Sequence, residues 1–385
     1  MRKLLIVILT LPILTGLGWL YFHERYLPSL DPAYHEYAYI TNGKSNTVSV
    51  IDLRTFELAK TLHVGLAPTG IAANSKKNEI YVVNSGSANV SVIDAERNAV
   101  VATVGVHGTP YFIDVSSDGK RAYVANSGSA NVSVIDLAQR KVLATVRVGN
   151  SPGLARVSPD GAVVVVSNRG SDSVSLVDAH SLAVRSTVPI CHQPEDIAIL
   201  PDNSKAFVAC SGSAQVASID LKSDKLLALL DVGQTPVDLA LKPDGGELIV
   251  CNFDSDSISI IETTTNEVSG SYLIGTHPSR AVVSNDNSRL YVSNLGSNAI
   301  AVYDIDMGKV VASIPVGSQP DALALSQSQN YLLVLDSQSG DITVIQKRKP
   351  RKLEPGEYGL LTMIPAGVQP NNVVVKSFLQ TKTPQ

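Results

Sequence analysis

The sequence is short of cysteine, of charge and of aromatic side chains, and each shortage argues against a class of protein. Three cysteines are too few for a disulfide framework, and without a CxxC or CxxCH spacing they indicate neither a zinc knuckle nor an attached c-type haem. Charged residues make up 17% of the chain and the formal net charge is −4, so no nucleic-acid partner is expected. Aromatic residues make up only 5%, whereas Val, Ile, Ser, Thr and Gly are abundant, which favours strands over helices.

The N-terminus holds one long uncharged run. Arg2 and Lys3 precede it, and it extends from Leu4 to Phe22, close to the roughly 17–25 residues that cross a bilayer. A cleaved signal peptide is the alternative, but its apolar region is usually about 7–15 residues long and ends in a small-residue site that is missing here. The sequence therefore predicts a transmembrane helix within residues 1–22, followed by a linker over residues 23–36. Under both readings the rest of the chain faces the periplasm or the cell exterior.

From residue 37 onward a 42-residue pattern recurs. Residues 81–104 read YVVNSGSANVSVIDAERNAVVATV, and residues 123–146 read YVANSGSANVSVIDLAQRKVLATV. Three columns mark the period: an Asp column (Asp52, Asp94, Asp136, Asp178, Asp220, Glu262, Asp304, Gln346), an Asn column (Asn42, Asn84, Asn126, Asn168, Cys210, Asn252, Asn294, Asp336) and a Pro column (Pro68, Pro110, Pro152, Pro194, Pro236, Pro278, Pro320). Because the first two columns fall at strand ends, we expect their side chains to cap turns.

Each unit reads as four short strands, A to D, separated by turn signals such as Ser158-Pro159-Asp160-Gly161. Four strands per repeat of about 40 residues is typical of a β-propeller. Strands B, C and D occur eight times, but the first unit lacks strand A, which residues 366–378 (AGVQPNNVVVKSF) supply. The sequence predicts an all-β, eight-bladed propeller of four-stranded antiparallel blades over residues 37–379, with a tail over residues 380–385. The D-to-A and B-to-C loops share one face, named the top; the other turns form the bottom.

The motif Tyr39-Ile40-Thr41-Asn42, the VSVID segments and the VG-x-x-P exits resemble the YVTN family of propeller repeats. The resemblance spans residues 37–379 and implies a surface-layer-type propeller. It extends more distantly to the propellers of haem-containing nitrite reductases, but no haem ligand of those proteins can be matched, so no cofactor is implied. Because the family more often has seven blades, a seven-bladed ring with an irregular end is the alternative.

Strand A is expected to line the central channel, and five charged residues there depart from a small or apolar norm: Asp114, Arg156, Asp196, Asp238 and Arg280. Two readings remain open. These residues pair between neighbouring blades, or they form a polar ligand or cation site at the channel mouth. The histidines of the top loops lie two blades apart, too far from one another to share a metal ion, so no metal site is predicted.

Two further features lie near the top and bottom faces of the predicted propeller. Cys191 precedes strand A and Cys210 ends strand B of the same blade, so they are a candidate disulfide in an oxidising compartment. An insertion in the last unit carries Lys347, Arg348, Lys349, Arg351 and Lys352. It is either a solvated loop or a membrane-proximal basic loop that docks the bottom face on anionic lipid.

The sequence shows no Ser/His/Asp set, no Cys/His pair and no phosphate loop. The leading hypothesis is a membrane-anchored, extracytoplasmic scaffold that offers its top face and channel mouth to a protein or glycan partner in the cell envelope, or to a small ligand. A lactonase- or lyase-like enzyme that uses the mouth carboxylates is the first alternative. A passive surface-layer component is the second.

Overall fold

The computed structural model describes residues 32–348 and 357–380, which form eight four-stranded antiparallel sheets. Blade 1 contains β32, β1, β2 and β3, and blades 2 to 8 follow in chain order with four consecutive strands each. Two single-turn 3₁₀ helices, Ser127–Ser129 and Phe253–Ser255, occupy B-to-C loops. The ring of eight blades is the architecture that the 42-residue repeat predicts.

The first four blades have these strands: β1 (Tyr34–Asn42), β2 (Thr47–Asp52) and β3 (Glu57–His63); β4 (Pro68–Ala73), β5 (Glu79–Asn84), β6 (Asn89–Asp94) and β7 (Ala99–Gly105); β8 (Pro110–Val115), β9 (Arg121–Asn126), β10 (Asn131–Asp136) and β11 (Lys141–Arg147); β12 (Pro152–Val157), β13 (Val163–Asn168), β14 (Ser173–Asp178) and β15 (Ala183–Pro189).

The remaining blades and the closing strand are β16 (Pro194–Ile199), β17 (Lys205–Cys210), β18 (Gln215–Asp220) and β19 (Lys225–Asp231); β20 (Pro236–Leu241), β21 (Glu247–Asn252), β22 (Ser257–Glu262) and β23 (Glu267–Leu273); β24 (Pro278–Val283), β25 (Arg289–Asn294), β26 (Ala299–Asp304) and β27 (Lys309–Pro315); β28 (Pro320–Leu325), β29 (Tyr331–Asp336), β30 (Asp341–Lys347) and β31 (Tyr358–Pro365); and β32 (Pro370–Leu379).

Burial follows the position of each strand within its blade. Strands B and C are covered on both faces by neighbouring blades, so they are apolar without alternation, as in β13 (VVVVSN), which is buried throughout. Strand D lies outermost and alternates, as in β19 (KLLALLD), where exposed and partly buried residues take turns. A β-bulge interrupts the pairing of each outermost strand, as at Leu176/Val177 in blade 4, and increases its twist.

Blade 1 closes the ring with strands from both ends of the sequence, because β32 pairs with β1. Thr41 Oγ1 donates to Asn371 Oδ1 at 2.5 Å, and the N–H of Gly43 donates to the Gln369 carbonyl at 2.9 Å. The interface of blades 8 and 1 has a core like the others, in which Ile40 and Leu335 are fully buried. Closure gives β1 a partner strand on each side, β2 and β32, so β1 has no free edge.

Two compact units divide the chain. Of the described residues, 36–348 and 357–376 belong to the large unit, and 32–35 with 377–380 belong to the small one, in which His35 and Phe378 stack with ring centroids 5.7 Å apart. The transmembrane helix of the sequence prediction needs correction. Within residues 32–348 and 357–380 no helix is long and apolar enough to cross a membrane, and the run from Leu4 to Phe22 lies outside the described residues. The fold of the described chain is all-β apart from the two short 3₁₀ turns.

The Asp column caps bottom turns as predicted. Asp94 Oδ1 accepts the N–H groups of Glu96 and Arg97 at 2.9 and 3.1 Å, and Asp178 and Asp220 accept equivalent pairs. These hydrogen bonds lower the pKa of Asp220, and the N–H of Ser223 contributes most to the shift. The regularity of this column marks it as architecture.

The Asn column does more than cap a turn. Asn168 donates through Nδ2 to Ser173 and Ser175 at 3.2 and 3.0 Å, and its Oδ1 accepts the N–H of Gly149 at 3.1 Å. A Cβ at Gly149 would lie 2.6 Å from Asn168 Cγ, so only glycine fits. We call this buried contact the Asn–Gly latch. In blades 1 and 4 it ties the loop that enters the blade to strands B and C, a link that a turn cap would not make. In blades 2, 3, 6 and 7 the asparagine Oδ1 has no hydrogen-bond partner in the described structure.

Candidate functional site

The inner strands β4 to β28 contact one another in order around the central channel, and they carry the five predicted charged residues. Asp114, Arg156 and Asp196 lie on β8, β12 and β16, and Asp238 and Arg280 lie on β20 and β24. The structure therefore places these side chains on five successive blades. They do not converge on one point, and they fall into two groups.

The three aspartates are held by backbone N–H groups. Asp196 accepts the N–H of Ile197 at 2.9 Å through Oδ1 and that of Leu239, on the next blade, at 3.0 Å through Oδ2. Asp114 spans blades 3 and 4 in the same way, with bonds of 3.0 Å to its own and the neighbouring strand. Asp238 accepts the N–H of Ala281 at 2.8 Å. Each carboxylate thus fastens one inner strand to the next.

The arginines keep most of their donors. Arg280 Nη1 lies 3.1 Å from Asp238 Oδ1, and Arg156 Nη2 lies 3.8 Å from Asp196 Oδ1. A guanidinium has five N–H donors, so one such contact leaves the others for a ligand or water. The Arg280 side chain is 45% accessible and the Arg156 side chain 38%. Both arginines therefore keep accessible donors in the channel.

Burial dominates the titration of the channel acids. It raises the pKa of Asp238 to about 6, with a further rise from Asp196, whereas the guanidinium of Arg280 opposes both. Burial also raises the pKa of Asp114, against the opposing effects of Arg156 and two backbone N–H groups. The pKa of Arg280 is raised because the attraction of Asp238 and Asp196 outweighs its burial, so Arg280 stays charged.

Sequence reasoning missed a rim of residues above these charges. Arg169 Nη2 lies 2.6 Å from Glu195 Oε2, and its guanidinium stacks 4.8 Å from the centre of the Tyr111 ring. Arg156 stacks in the same way on Phe112, at 4.6 Å. The signal was present in the sequence, because Tyr111 and Glu195 directly follow prolines of the Pro column.

Asp321 completes the missed rim. It too directly follows a proline, and within the described residues its carboxylate has no hydrogen bond or ion pair. Burial raises its pKa, with Arg280 opposing. Among the mouth carboxylates of the described chain, Asp321 alone therefore lacks a hydrogen bond or ion pair.

The structure joins Cys191 and Cys210 by a disulfide with a Cα–Cα distance of 5.7 Å. Cys191 stands where the latch has glycine and Cys210 where it has asparagine, so the disulfide replaces the Asn–Gly latch of blade 5. The third cysteine, Cys251, is a buried thiol whose pKa burial raises.

Blade 8 changes the latch in another way, because Asp336 replaces its asparagine. Asp336 is fully buried, and Thr343 Oγ1 donates to its Oδ2 at 2.6 Å, whereas its Oδ1 has no donor in the described structure. Burial raises the pKa of Asp336 to about 7; Thr343 opposes the rise and the nearby carboxylate of Asp341 adds to it. Two acidic side chains therefore meet where other blades place an amide and its acceptor.

The basic loop is described only at its start. Lys347 Nζ lies 3.8 Å from Glu357 Oε1, and Arg348 donates to the Leu360 carbonyl at 3.2 Å. Lys349, Arg351 and Lys352 lie outside the described residues. Across residues 32–348 and 357–380, no three His, Cys, Asp or Glu side chains are grouped closely enough to hold a metal ion.

Two family models match parts of the chain. A YNCE-like β-propeller family matches residues 31–155, and the lactonase, seven-bladed β-propeller family matches residues 264–359. Each match covers less than half of the chain. They support a β-propeller, and they do not extend to the YVTN repeat or to a surface-layer type. A comparison with curated proteins found no match.

Solved structures show the same fold at low identity. Dihydro-heme d1 dehydrogenase NirN in complex with DHE gives a TM-score of 0.73 at 13% identity, over 89% of this chain and 75% of that one. Kuenenia stuttgartiensis hydrazine synthase gives 0.58 at 23%, over 69% and 91%. A functionally unknown protein from Desulfotomaculum acetoxidans DSM 771 gives 0.61 at 15%, over 88% and 98%. At such identities the likeness concerns the fold alone.

Proposed function

We propose that this propeller is an extracytoplasmic binding protein that takes a small anionic ligand at the mouth of its central channel. One observation carries the proposal: the channel aspartates are taken up by backbone N–H groups, whereas Arg156 and Arg280 remain accessible with unused donors. Charged donors in a partly desolvated concavity favour carboxylate and phosphate ligands. The aromatic rings of Tyr111 and Phe112 lie beside Arg169 and Arg156.

The disulfide supports an extracytoplasmic location. A bond between Cys191 and Cys210 forms and persists in oxidising surroundings, as in the periplasm or outside the cell, and is rare in the cytosol. The test is the redox state of these cysteines in protein extracted under thiol-blocking conditions. Reduced cysteines in the native protein would contradict an extracytoplasmic location.

The ligand site is tested with a double variant, Arg156→Gln with Arg280→Gln. Asp196 and Asp238 keep their N–H donors in it, so the fold should survive. Citrate, succinate, glucose 6-phosphate and inorganic phosphate are screened by thermal shift and calorimetry. A ligand at about 100 times its Kd stabilises the fold by about 2.7 kcal/mol, and the double variant should lose that gain.

The control is Arg147→Gln, which removes an exposed arginine from the outermost strand of blade 3 and should keep full binding. Equal binding by the double variant and the wild type would exclude the channel arginines. Failure of all four anions to bind the wild type would count against the proposal as a whole.

A second candidate function is hydrolysis of a lactone. The unpaired, partly buried carboxylate of Asp321 favours it, and Asp321 lies within the part that matches the lactonase family. Turnover of γ- and δ-lactones that Asp321→Asn abolishes, with Arg156 and Arg280 intact, would establish this candidate in place of simple binding.

A further inference from the structure

A cavity of about 570 Å³ opens on the top face at the seam between blades 8 and 1. Four loops line it: residues 43–46 of blade 1, residues 316–319 before β28, residues 337–340 of blade 8, and residues 366–369, which lead into the closing strand β32. Side chains of β2 and β3 complete the lining. Its volume lies within the range of about 300–1,000 Å³ that small-molecule sites occupy. It is separate from the inner-strand arginines of the channel.

At this cavity a glycine stands where four other blades place a bridging side chain and the remaining three have alanine. In blade 7, Asn298 Oδ1 accepts the N–H of Gln319 at 2.9 Å, and Asn46 in blade 1 makes the same contact to Ala67. The equivalent residue of blade 8 is Gly340. A Cβ there would meet nothing closer than the Gly367 carbonyl oxygen at 3.4 Å, so the space stays open.

Side chains that break the repeat meet at this cavity. The second residue of the B-to-C loop is glycine in five blades: Gly86, Gly128, Gly170, Gly212 and Gly296. A Cβ at Gly86 would lie 3.0 Å from Leu66 Cβ, so these loops pack too closely for a side chain. The other three blades carry Lys44, Asp254 and Gln338. Of these, Lys44 and Gln338 belong to the adjacent blades 1 and 8, and both line the cavity. Departures from a regular repeat that gather in adjacent blades indicate a site, because architecture alone repeats.

The lining has a definite chemistry. It contains one cation, Lys44, and no carboxylate. Three amide side chains, those of Gln319, Gln338 and Gln369, project from different loops. Within the described residues, these amides have no hydrogen-bond partner, and the Lys44 ammonium has none either. An amide both donates and accepts, which matches ligand hydroxyls. Val368, 58% exposed, adds one apolar wall.

We propose that the seam cavity binds an acidic saccharide. The ligand hydroxyls bond to the glutamine amides, its carboxylate pairs with Lys44, and the apolar face of a sugar ring packs on Val368. The amides call for ligand hydroxyls and Lys44 calls for a negative charge. A neutral sugar would leave Lys44 unpaired, and a bare anion would leave the amides without hydroxyl partners. This inference does not depend on a ligand in the central channel.

The test uses the full chain and a matched pair of probes, cellobiouronic acid and cellobiose, which differ in one carboxylate, with inorganic phosphate as the bare anion. Calorimetry should show binding of the acid disaccharide at least about tenfold tighter than that of cellobiose or phosphate. Lys44→Gln should remove this preference. Lys76→Gln, at an exposed bottom-face lysine, should not change it.

Gly340→Asn closes the cavity without breaking the fold, because asparagine already adopts a positive φ at the equivalent positions Asn46 and Asn298. It should keep the melting temperature and abolish saccharide binding. Binding unchanged in Gly340→Asn, equal affinity for phosphate, or no binding of cellobiouronic acid at about 10 mM, a concentration well above ordinary Kd values, would each overturn the proposal. The Arg156→Gln, Arg280→Gln variant should bind cellobiouronic acid normally, which separates this site from the channel.

Discussion

Blades 5 and 8 replace the same asparagine with opposite chemistry. In blade 5 the glycine and the asparagine of the latch become Cys191 and Cys210, and a covalent bond takes over. In blade 8 the glycine stays, as Gly317, and Asp336 faces Asp341 where an amide would donate. The comparison teaches that one position of the repeat can carry different links between loop and strand, and that the kind of link decides what the blade responds to: oxidation in blade 5 and protonation in blade 8.

The largest effect is expected from breaking the covalent latch. Cys210→Ser removes a disulfide that closes a sequence separation of 19 residues, and a loop of that size corresponds to roughly 3 kcal/mol of unfolding free energy. Denaturant unfolding with and without reductant measures it. The double variant Cys191→Gly, Cys210→Asn restores the ordinary latch and should recover part of the loss. If Cys210→Ser unfolds like the wild type, the disulfide does not stabilise blade 5.

The acidic latch gives a pH dependence of definite sign. The pKa of Asp336 is raised from its ordinary 3.8 to about 7, so between those values the folded protein holds a proton that the unfolded chain has lost. Raising the pH through this window therefore destabilises the fold. Three pH units correspond to at most about 4 kcal/mol, and because Asp341 shares the titration we expect about 2 kcal/mol.

Asp336→Asn should remove this loss, because asparagine restores the donor that the other latches use. At about pH 8 the variant should be about 2 kcal/mol more stable than the wild type, and below about pH 4 the two should be equal. Unfolding curves across this range measure the difference. A variant that is less stable at every pH would show that the carboxyl pair is not strained.

The smallest effect should come from the reverse change in an ordinary blade. Asn168→Asp replaces the amide that donates to Ser173 and Ser175, and we expect a loss of about 1 kcal/mol at about pH 8, recovered as the new acid is protonated. Ser173 stands where blade 8 has Asp341, so the coupling is weaker. Asn150→Asp, in an exposed loop, is the control and should show no pH-dependent loss.

Much of the fold could be predicted because the repeat supplies the same information eight times. The segment VSVID at residues 90–94 indicates strand C of blade 2 and lies in β6 (Asn89–Asp94). The strand A that the sequence predicts at the C-terminus corresponds to β32, which pairs with β1. The structure shows eight blades, not the seven of the alternative. The transmembrane helix is the part of the fold prediction that needed correction.

The candidate site was less accessible to sequence reasoning. A column of charges identifies Asp196 and Asp238, but their sequence does not reveal that N–H groups of the next inner strand take up the carboxylates. The seam cavity depends on Lys44 and Gln338, which are almost 300 positions apart and become neighbours only when the ring closes. The sequence does contain a signal for both residues, because each departs from the glycine that most blades have at this loop position.

The split first blade has a consequence for synthesis. β1 emerges from the ribosome long before β32, with more than 300 residues between them, and translation proceeds at about 5–20 residues per second. For tens of seconds the nascent chain therefore carries an unpaired inner strand edge on blade 1. Seven blades can assemble in that time, but the ring cannot close until the final strand is made. Until β32 is made, the nascent protein is an open arc with one exposed strand edge. A chaperone, or a second copy of the chain, would bind to that edge during this interval.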